Sequence, residues 1–280
     1  MATRREIFLQ LSVVASELYG TDEGRQIAEL IVLANGGITR NDLLVEPNKE
    51  LEINDIDRII AELREWRPVQ YIIGTASFDD MELEVSEGVL IPRPETEELV
   101  EWVASEAPHG AKIVDVCTGS GCIAIALSRR VKQSRVWGID ISKEALSIAR
   151  RNAEKYAPTI ELVEGDALAD FSQLIDGEVD VIVSNPPYIP NSDRELMRRN
   201  VTEHEPHIAL FVEDDDPLLF YRSIARTAHK MLSMGGKIYF EIYENFAVEM
   251  VDMLTNEGFV NVVVREDFRA KQRMVCAEKR

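Results

Sequence analysis

Residues 112–121 are KIVDVCTGSG, a short apolar run that passes directly into a glycine-rich turn. An apolar run of this length is typical of a buried parallel strand. Gly119 and Gly121 allow the backbone to turn sharply, and the apolar residues that follow predict a helix over residues 121–130. A strand, a glycine-rich turn and a helix in this order predict one unit of an α/β fold.

The C-terminal part of the chain repeats this alternation of strand and helix. Further strands are predicted at residues 135–139, 160–164, 179–184 and 237–242, and a helix at 142–156 with Ser142 as its N-cap. Two β-rich runs, 259–264 and 273–277, could pair as an antiparallel edge. The pattern predicts an α/β fold with a mostly parallel, seven-stranded sheet and helices on both faces.

The first 67 residues have a different pattern, in which apolar side chains recur at steps of three and four. The stripes are Ile7, Leu11, Val14 and Leu18; Ile27, Leu30, Ile31 and Ala34; and Ile56, Ile59, Ile60 and Leu63. This spacing predicts a small helical bundle. Short apolar runs around Asp79 and Asp80 then predict a β-hairpin that begins near Val69 and joins the bundle to the rest of the chain.

Composition and charge restrict the class of protein. The chain has 280 residues, of which 45% are hydrophobic and 29% charged, which excludes collagen-like and wholly disordered chains. The formal net charge of −19 disfavours nucleic acid as the main partner, because a phosphate backbone repels an acidic surface. No apolar run is long enough to span a membrane, and the N-terminal residues do not resemble a signal peptide.

The cysteines give a further restriction. Cys117, Cys122 and Cys276 are odd in number and lack the paired spacing of a zinc site. We therefore expect no metal, reduced thiols and a cytoplasmic protein. A monomer is expected as well, because the predicted elements account for the apolar stripes.

The glycine-rich turn is a candidate cofactor site, because helix N-terminal N–H groups face a ligand there. Gly119-Ser120-Gly121 followed by Ala124 satisfies the pattern G-x-G-x-x-A, so a nicotinamide cofactor stays open on spacing alone. Asp140 ends the next strand and could accept hydrogen bonds from the ribose of any adenosine cofactor. The alternative for Asp140 is a helix-capping role before Ser142.

A second candidate site is Asn185-Pro186-Pro187-Tyr188, which follows the fourth strand and so lies at the same edge of the sheet as the turn. Asn185 supplies a side-chain carbonyl, and the prolines lack N–H donors and leave the Pro186 carbonyl exposed. Two neighbouring acceptors match a planar NH₂ group, and Tyr188 offers a flat face for stacking. A proline-rich turn without chemistry is the alternative.

Together, residues 115–121 and 185–188 resemble the class I S-adenosylmethionine-dependent methyltransferases that modify planar amino or amide nitrogens. Three more segments narrow the resemblance to protein-(glutamine-N5) methyltransferases of the HemK/PrmC type. They are RPVQYIIG at 67–74, LIPRPETE at 90–97 and EPHIAL at 205–210. That family modifies the glutamine of the Gly-Gly-Gln loop in class 1 peptide chain release factors. The resemblance covers nearly the whole chain.

The resemblance implies S-adenosyl-L-methionine as cofactor and a release factor as protein substrate. It assigns cofactor contacts to Cys117, Thr118, Gly119, Ser120, Gly121, Asp140, Ala167 and Asn185. It assigns the glutamine amide to Asn185, Pro186, Pro187 and Tyr188, of which Asn185, Pro186 and Tyr188 are the candidate catalytic residues. It implies a helical substrate-recognition domain over 1–67, a hairpin linker over 68–90 and a methyltransferase domain over 91–280.

An amide nitrogen is a poor nucleophile, because its lone pair is delocalised into the carbonyl. We expect Asn185 Oδ1 and the Pro186 carbonyl to accept the two amide hydrogens and to aim the nitrogen at the sulfonium methyl group. The helical bundle is expected to grip the release factor, with plain structural support as the alternative. Residues 92–96 are expected to line the glutamine channel or to brace the hinge.

Three departures from the family pattern stand out. Cys117 stands where the usual turn has glycine, so the backbone there must tolerate a side chain. Ala167 stands where some relatives place an aromatic residue near the adenine. Ala270 and Gln272 stand where a segment near the C-terminus often has glycine and aspartate.

Several other functions remain as alternatives. Methylation of an adenine amine in nucleic acid would use the same pair of acceptors, but the charge and the absence of a basic stretch with interleaved aromatic residues disfavour it. Methylation of a ribosomal-protein glutamine would use the same motif. An oxidoreductase would need a histidine or a Tyr/Lys pair as proton relay, and none of the four histidines ends a strand. A non-catalytic cofactor-binding protein is conceivable because of Cys117.

Overall fold

The computed structural model describes residues 2–280. Its helices are α1 (Arg4–Tyr19), α2 (Thr21–Gly36), α3 (Arg40–Val45), α4 (Ile56–Arg64), α5 (Val69–Ile73), α6 (Pro94–Glu106), α7 (Cys122–Arg130), α8 (Lys143–Tyr156), α9 (Arg199–Thr202), α10 (Leu219–Met231) and α11 (Ala247–Asn256). Its strands are β1 (Thr75–Phe78), β2 (Met81–Glu84), β3 (Lys112–Val116), β4 (Arg135–Asp140), β5 (Glu161–Glu164), β6 (Val179–Ser184), β7 (Ile189–Pro190), β8 (Phe211–Val212), β9 (Leu232–Glu241), β10 (Phe259–Glu266) and β11 (Gln272–Lys279). The chain divides into two compact units, one formed by the residues up to Thr75 together with Met197–His204, the other by Ala76–Leu196 together with Glu205–Arg280.

The first unit consists of helices, as the apolar stripes predict. α1 begins with a capping box, in which the Thr3 hydroxyl accepts a hydrogen bond from the Glu6 N–H and the Glu6 carboxylate accepts one from the Thr3 N–H. Leu11, Ile31 and Leu63 are fully buried in one apolar core.

Two residues of the predicted apolar stripes, Leu30 and Ala34, are exposed, and the Leu30 side chain is 44% exposed. α1 and α2 approach so closely that a Cβ on Gly24 would lie 2.5 Å from the Ser16 nitrogen. The face of α2 that carries Gly24, Ala28 and Ile31 is therefore the buried one, and Leu30 points away from it.

The predicted hairpin is confirmed, since β1 and β2 form a two-stranded sheet. Its turn has Asp79 and Asp80 in the left-handed region, with φ of 48° and 57°, the geometry of a tight turn that matches the twist of paired strands. The predicted start near Val69 is wrong. Val69–Ile73 forms α5, which begins after Pro68 and ends at Gly74 with φ of 80°.

The second unit is built on a seven-stranded sheet with the order β10-β11-β9-β6-β3-β4-β5. β5, β4, β3, β6 and β9 pair in parallel, whereas β11 pairs antiparallel with both β9 and β10. The predicted α/β fold, the mostly parallel sheet and the antiparallel C-terminal edge are confirmed. β9 begins at Leu232 rather than at residue 237, because Leu232 pairs with Val179 before an irregular register.

Parallel pairing aligns the carboxyl ends of the central strands. Val116 at the end of β3 pairs with Ile139 of β4 and with Ser184 of β6. Ser184 pairs in turn with Phe240 of β9. The segments that follow these strands therefore emerge side by side, at the edge where open parallel sheets bind ligands.

Within residues 2–280, no helix is long and apolar enough to cross a membrane. In the same range no group of three or more His, Cys, Asp or Glu side chains is placed to hold a metal ion. The three cysteines are free thiols.

The turn between β10 and β11 contains one of the departures from the family pattern. Ala270 has a left-handed backbone with φ of 58°, and its N–H donates to the Asp267 carbonyl at 2.8 Å. A Cβ raises the energy of this conformation, whereas glycine adopts it freely. Glycine at position 270, as in the family segment that this turn resembles, would adopt the conformation without that cost.

We predict that Ala270→Gly stabilises the protein. A left-handed conformation costs a residue with a Cβ about 1–2 kcal/mol, a cost that glycine avoids. The extra freedom of glycine in the unfolded chain offsets about 0.4–1 kcal/mol of this stabilisation. The free energy of unfolding in urea should therefore rise by about 0.5–1 kcal/mol. Ala270→Ser, which keeps a Cβ, is the control and should show no gain; a lower midpoint for Ala270→Gly would contradict the assignment of strain.

Candidate active site

A cavity of about 350 Å³ opens at the carboxyl ends of β3, β4 and β6, a size typical of small-molecule sites. Its walls are formed by Gly88, Val89, Leu90, Cys117, Gly119, Asp140, Ile141, Ser142, Ala145, Gly165, Asp166, Ala167, Leu168, Asn185, Pro187, Pro206, Ile208, Ala209 and Phe220. Six of the residues predicted from the sequence line it, namely Cys117, Gly119, Asp140, Ala167, Asn185 and Pro187. The other five, Thr118, Ser120, Gly121, Pro186 and Tyr188, lie outside its lining.

Buried hydrogen bonds hold the glycine-rich turn. The Thr118 hydroxyl donates to Asp115 Oδ2 at 2.5 Å, and the Ala124 N–H donates to the same oxygen at 3.1 Å. Asn152 Nδ2 donates to the Ser120 carbonyl at 3.0 Å. Thr118 and Ser120 are both almost fully buried, so their side chains belong to the support of the turn.

The backbone of the turn explains the preference for glycine. Cys117, Gly119 and Gly121 have φ of 63°, 55° and 83°, a region that residues with a Cβ rarely adopt. Gly119 borders open space, because a Cβ there would meet no atom within 4 Å. Burial raises the pKa of the Cys117 thiol well above its usual value, so the thiol is protonated at neutral pH.

Two aspartates stand beside the turn. Burial raises the pKa of Asp115 to about 7, against the lowering effect of its hydrogen bonds from Thr118 and Ala124. Asp140 Oδ2 accepts from the Gly119 N–H at 2.8 Å, and Oδ1 accepts from the Ser142 N–H at 2.9 Å. Asp140 therefore lines the cavity and also braces the start of α8 at its N-cap residue Ser142. Its contact with a ribose stays a prediction.

Asn185 stands at the end of β6 in a chain of three polar side chains. Its Nδ2 donates to Thr96 Oγ1 at 3.4 Å, and the Thr96 hydroxyl donates to Glu241 Oε2 at 2.6 Å. Thr96 and Glu241 are buried. Burial raises the pKa of Glu241, and the hydrogen bonds from Thr96 and Tyr188 oppose that rise.

Tyr188 joins the same chain from the other side. Its hydroxyl donates to Glu241 Oε1 at 3.0 Å, and its ring stacks on Tyr243 with centroids 6.1 Å apart and planes inclined by 25°. Tyr243 donates its hydroxyl to Asp193 Oδ2 at 2.7 Å. Tyr188 is thus fixed at its hydroxyl and on one face of its ring. Pro186, in the same motif, is buried.

The sequence placed Thr96 only within the segment 92–96 that was expected to line the glutamine channel or to brace the hinge, and it did not identify Glu241 as part of the site. Thr96 lies in the segment 90–97 that carried the family resemblance, but nothing in that segment indicates what its hydroxyl contacts. Glu241 has a visible signal, a charged residue at the end of the apolar run KIYFEI. Its two partners are distant in the chain, so the signal predicts a buried carboxylate without a function.

Another buried carboxylate, that of Glu205, supports a different part of the cavity wall. Glu205 accepts a hydrogen bond from the Ile91 N–H at 3.1 Å and one from Arg93 Nη2 at 2.6 Å. Ile91 directly follows the cavity-lining residues 88–90, and Glu205 directly precedes the lining residue Pro206. Arg93 and Glu205 thus brace the wall. The lining of a glutamine channel by residues 92–96, or the bracing of a hinge, stays a prediction.

Known proteins with a similar sequence or a similar fold are methyltransferases. A family model described as "Methyltransferase domain" matches residues 113–204. A release factor glutamine methyltransferase of Flavobacterium psychrophilum is 39% identical over 88% of this chain and 88% of its own length. One of Bacteroides thetaiotaomicron is 37% identical over 94% of this chain and 95% of its own length. A solved methyltransferase of Pyrococcus furiosus has the same fold, with a TM-score of 0.54, 16% identity, and coverage of 80% of this chain and 98% of its own.

The fold, together with the cavity at the carboxyl ends of the parallel strands, defines a class I methyltransferase that uses S-adenosylmethionine. Within that class the two relatives match almost the full length of the chain. The chain belongs to the family of release factor glutamine methyltransferases.

We predict opposite effects of two substitutions at Cys117. Cys117→Gly relieves the left-handed backbone, so S-adenosylmethionine should bind as in the wild type and the free energy of unfolding should not fall. Cys117→Val places a β-branched side chain in the same conformation and should destabilise the protein by about 1–3 kcal/mol. Calorimetric titration and urea unfolding measure both effects.

Cys122→Val is the matched control, because Cys122 begins α7 and tolerates helical geometry. It should cost less stability than Cys117→Val. Equal losses at the two cysteines would mean that packing, and not the backbone conformation, limits the residue at position 117.

Proposed function

We propose that this protein transfers a methyl group from S-adenosylmethionine to the side-chain amide nitrogen, N5, of the glutamine in the Gly-Gly-Gln motif of class 1 peptide chain release factors. One observation carries the proposal: Asn185 lines the cavity directly before Pro186, whose carbonyl is a second acceptor. Adjacent acceptors suit a primary amide, which has two hydrogens on one nitrogen. The relatives are named release factor glutamine methyltransferases, which indicates that the amide belongs to a glutamine of a release factor.

The cavity suits the cofactor of this family. Asp140 supplies carboxylate oxygens that accept hydrogen bonds from ribose hydroxyls. Ile141, Leu168 and Ile208 line the cavity and are at least 43% exposed, so they offer apolar surface to an adenine ring. Gly119 leaves open space beside the turn. When bound, S-adenosylmethionine supplies an electrophilic methyl group on a positively charged sulfur.

The residues of the 185–188 motif then position the amide. Asn185 Oδ1 and the Pro186 carbonyl accept the two amide hydrogens, which fixes the direction of the nitrogen lone pair. As the nitrogen–methyl bond forms and the methyl–sulfur bond breaks, both oxygens would stabilise the positive charge that develops on nitrogen. One of the two amide protons then leaves to solvent, and the thioether S-adenosylhomocysteine is the leaving group. Pro186 and Pro187 contribute no N–H group that would compete for these acceptors. Tyr188 holds the motif in place through Glu241 and Tyr243.

The same acceptors would serve a glutamine of a ribosomal protein or the exocyclic amine of adenine. The charge of −19 favours a protein substrate over nucleic acid. We propose a monomer without direct nucleic-acid binding that acts in the cytoplasm, where release factors work.

We also propose that the helical unit binds the release factor. Within that unit a cleft is lined by Leu18, Tyr19, Trp66, Met197, Arg198 and Arg199. The Tyr19 and Trp66 ring centroids lie 5.0 Å apart, and the Arg199 guanidinium lies 5.5 Å from the Trp66 ring centroid. Tryptophan, tyrosine and arginine are the side chains that contribute most to protein interfaces.

The proposal predicts that labelled methyl appears on the glutamine of the Gly-Gly-Gln motif when the enzyme, labelled S-adenosylmethionine and a full-length release factor are combined. Asn185→Ala should lower kcat roughly hundredfold or more, because one of two oriented acceptors is lost. The dissociation constant for S-adenosylmethionine should change far less. Mass spectrometry locates the label, and calorimetry gives the dissociation constant.

Asn191→Ala is the matched control, since Asn191 is an exposed asparagine of the following segment. It should keep the wild-type kcat. Label on a ribosomal protein or on DNA, with none on the release factor, would show that the substrate is wrong; an unchanged kcat for Asn185→Ala would remove that residue from the chemistry.

A variant of the cleft tests the role of the helical unit. Trp66→Ala should raise KM for the full-length release factor about tenfold, because a half-buried aromatic side chain is lost from the proposed interface. The kcat and the affinity for S-adenosylmethionine should stay unchanged. Leu44→Ala removes an exposed apolar side chain of the same unit, 71% exposed, and should leave KM as it is. An unchanged KM for Trp66→Ala would assign the cleft a purely structural role.

A further inference from the structure

Glu241 is a buried carboxylate for which the transfer chemistry described above has no direct use. It is 1% exposed and ends β9. Because Phe240 of β9 pairs with Ser184 of β6, residue 241 lies next to the start of the 185–188 motif. Its backbone is fixed as well, since the Tyr221 hydroxyl donates to its carbonyl at 3.0 Å. A buried carboxylate is unfavourable unless it is hydrogen-bonded, so its partners indicate what it does.

The partners of Glu241 determine the direction of the hydrogen bonds around Asn185. An ionised carboxylate only accepts, so the hydroxyls of Thr96 and Tyr188 must both donate to Glu241. With its single hydrogen used, the Thr96 oxygen can only accept from its remaining neighbour. That neighbour is the Asn185 amide, which must present Nδ2 to Thr96. Asn185 Oδ1 then points away from Thr96 and is left for another donor.

We propose that Glu241 is a positioning residue, which acts through the Thr96 hydroxyl to hold the Asn185 amide with Oδ1 as its free acceptor. The inference rests on the proposed function, in which Asn185 Oδ1 accepts a hydrogen of the substrate amide. Without this constraint an asparagine amide has two orientations of similar shape. In the wrong one, Nδ2 would face the NH₂ group of the substrate and repel it.

The hydrogen-bond geometry is that of an ionised Glu241. Its 2.6 Å contact with Thr96 has the short length typical of a hydroxyl donating to a charged oxygen. Burial raises the pKa of Glu241, and the hydrogen bonds from Thr96 and Tyr188 and the positive charge of Arg273 oppose that rise. Burial raises the pKa of Tyr188 well above its usual value, so its hydroxyl keeps its hydrogen and remains a donor.

Substitutions in this chain have distinct expected effects. Thr96→Val keeps the shape of the side chain and removes the hydroxyl, so Asn185 loses the partner that fixes its orientation. Glu241→Gln introduces an NH₂ group, which can turn the Thr96 hydroxyl towards Asn185 and reverse the amide. Both variants should lower kcat roughly ten- to hundredfold by misplacing one acceptor. Thr96→Ser keeps the hydroxyl and should restore kcat to nearly the wild-type value.

The decisive experiment is a double-mutant cycle on the full chain with a release factor as substrate. If Thr96 acts through Asn185, the double variant Thr96→Val/Asn185→Ala should have the same kcat as Asn185→Ala alone. Binding of S-adenosylmethionine, measured by calorimetry, should be retained in all variants and shows that they fold. Tyr239→Phe is the control. Tyr239 lies on β9, as Glu241 does, but its hydroxyl donates to a different carboxylate, that of Glu106. It should leave kcat unchanged.

Two results would overturn the inference. One is a kcat for Thr96→Val equal to that of the wild type; the other is a double variant in which the two losses multiply. Either result, combined with a large loss in Asn185→Ala, would leave the proposed function intact. An Asn185→Ala variant with full turnover would overturn both proposals together.

Discussion

Parallel pairing of the central strands is the constraint on which the site depends. The register that joins Val116 to Ser184, and Ser184 to Phe240, brings together three loops that are far apart in the chain. One loop is the glycine-rich turn, the second carries Asn185, and the third follows Glu241. Because the sheet core is fully buried and close-packed, these loops start from fixed positions. The chemistry of a methyl transfer, which requires alignment more than strong acid or base groups, suits such a rigid base.

Two buried carboxylates hold the loops of the site in place by hydrogen bonds. Asp115 holds the turn through Thr118 and the Ala124 N–H, and Glu241 holds the motif of Asn185 through Thr96 and Tyr188. Burial raises the pKa of both groups. Each is tolerated because hydrogen bonds replace part of the lost hydration. Such an arrangement is sensitive to the loss of one partner, which leaves an unsatisfied group in the interior.

Local patterns predicted the fold and six of the residues that line the cavity. The apolar runs predicted the strands, and Gly119, Asp140 and Asn185, which come shortly after them, line the cavity. The helix at Val69–Ile73 was missed because a short apolar run fits either a strand or a helix. The hydrogen bonds of Thr96 and Glu241 could not be predicted, since they depend on contacts between three distant segments. The unusual residues Cys117 and Ala270 both prove to have left-handed backbones, which a sequence comparison can flag but not explain.

The central claim is that the site orients a primary amide between Asn185 Oδ1 and the Pro186 carbonyl. The most direct measurement is a crystal structure of the enzyme with S-adenosylhomocysteine and a peptide that contains the Gly-Gly-Gln motif. The account predicts the glutamine amide nitrogen within about 3 Å of both oxygens, with Asn185 Nδ2 on Thr96. A glutamine whose carbonyl oxygen faces Asn185 Nδ2, or whose amide lies outside the cavity, would contradict it.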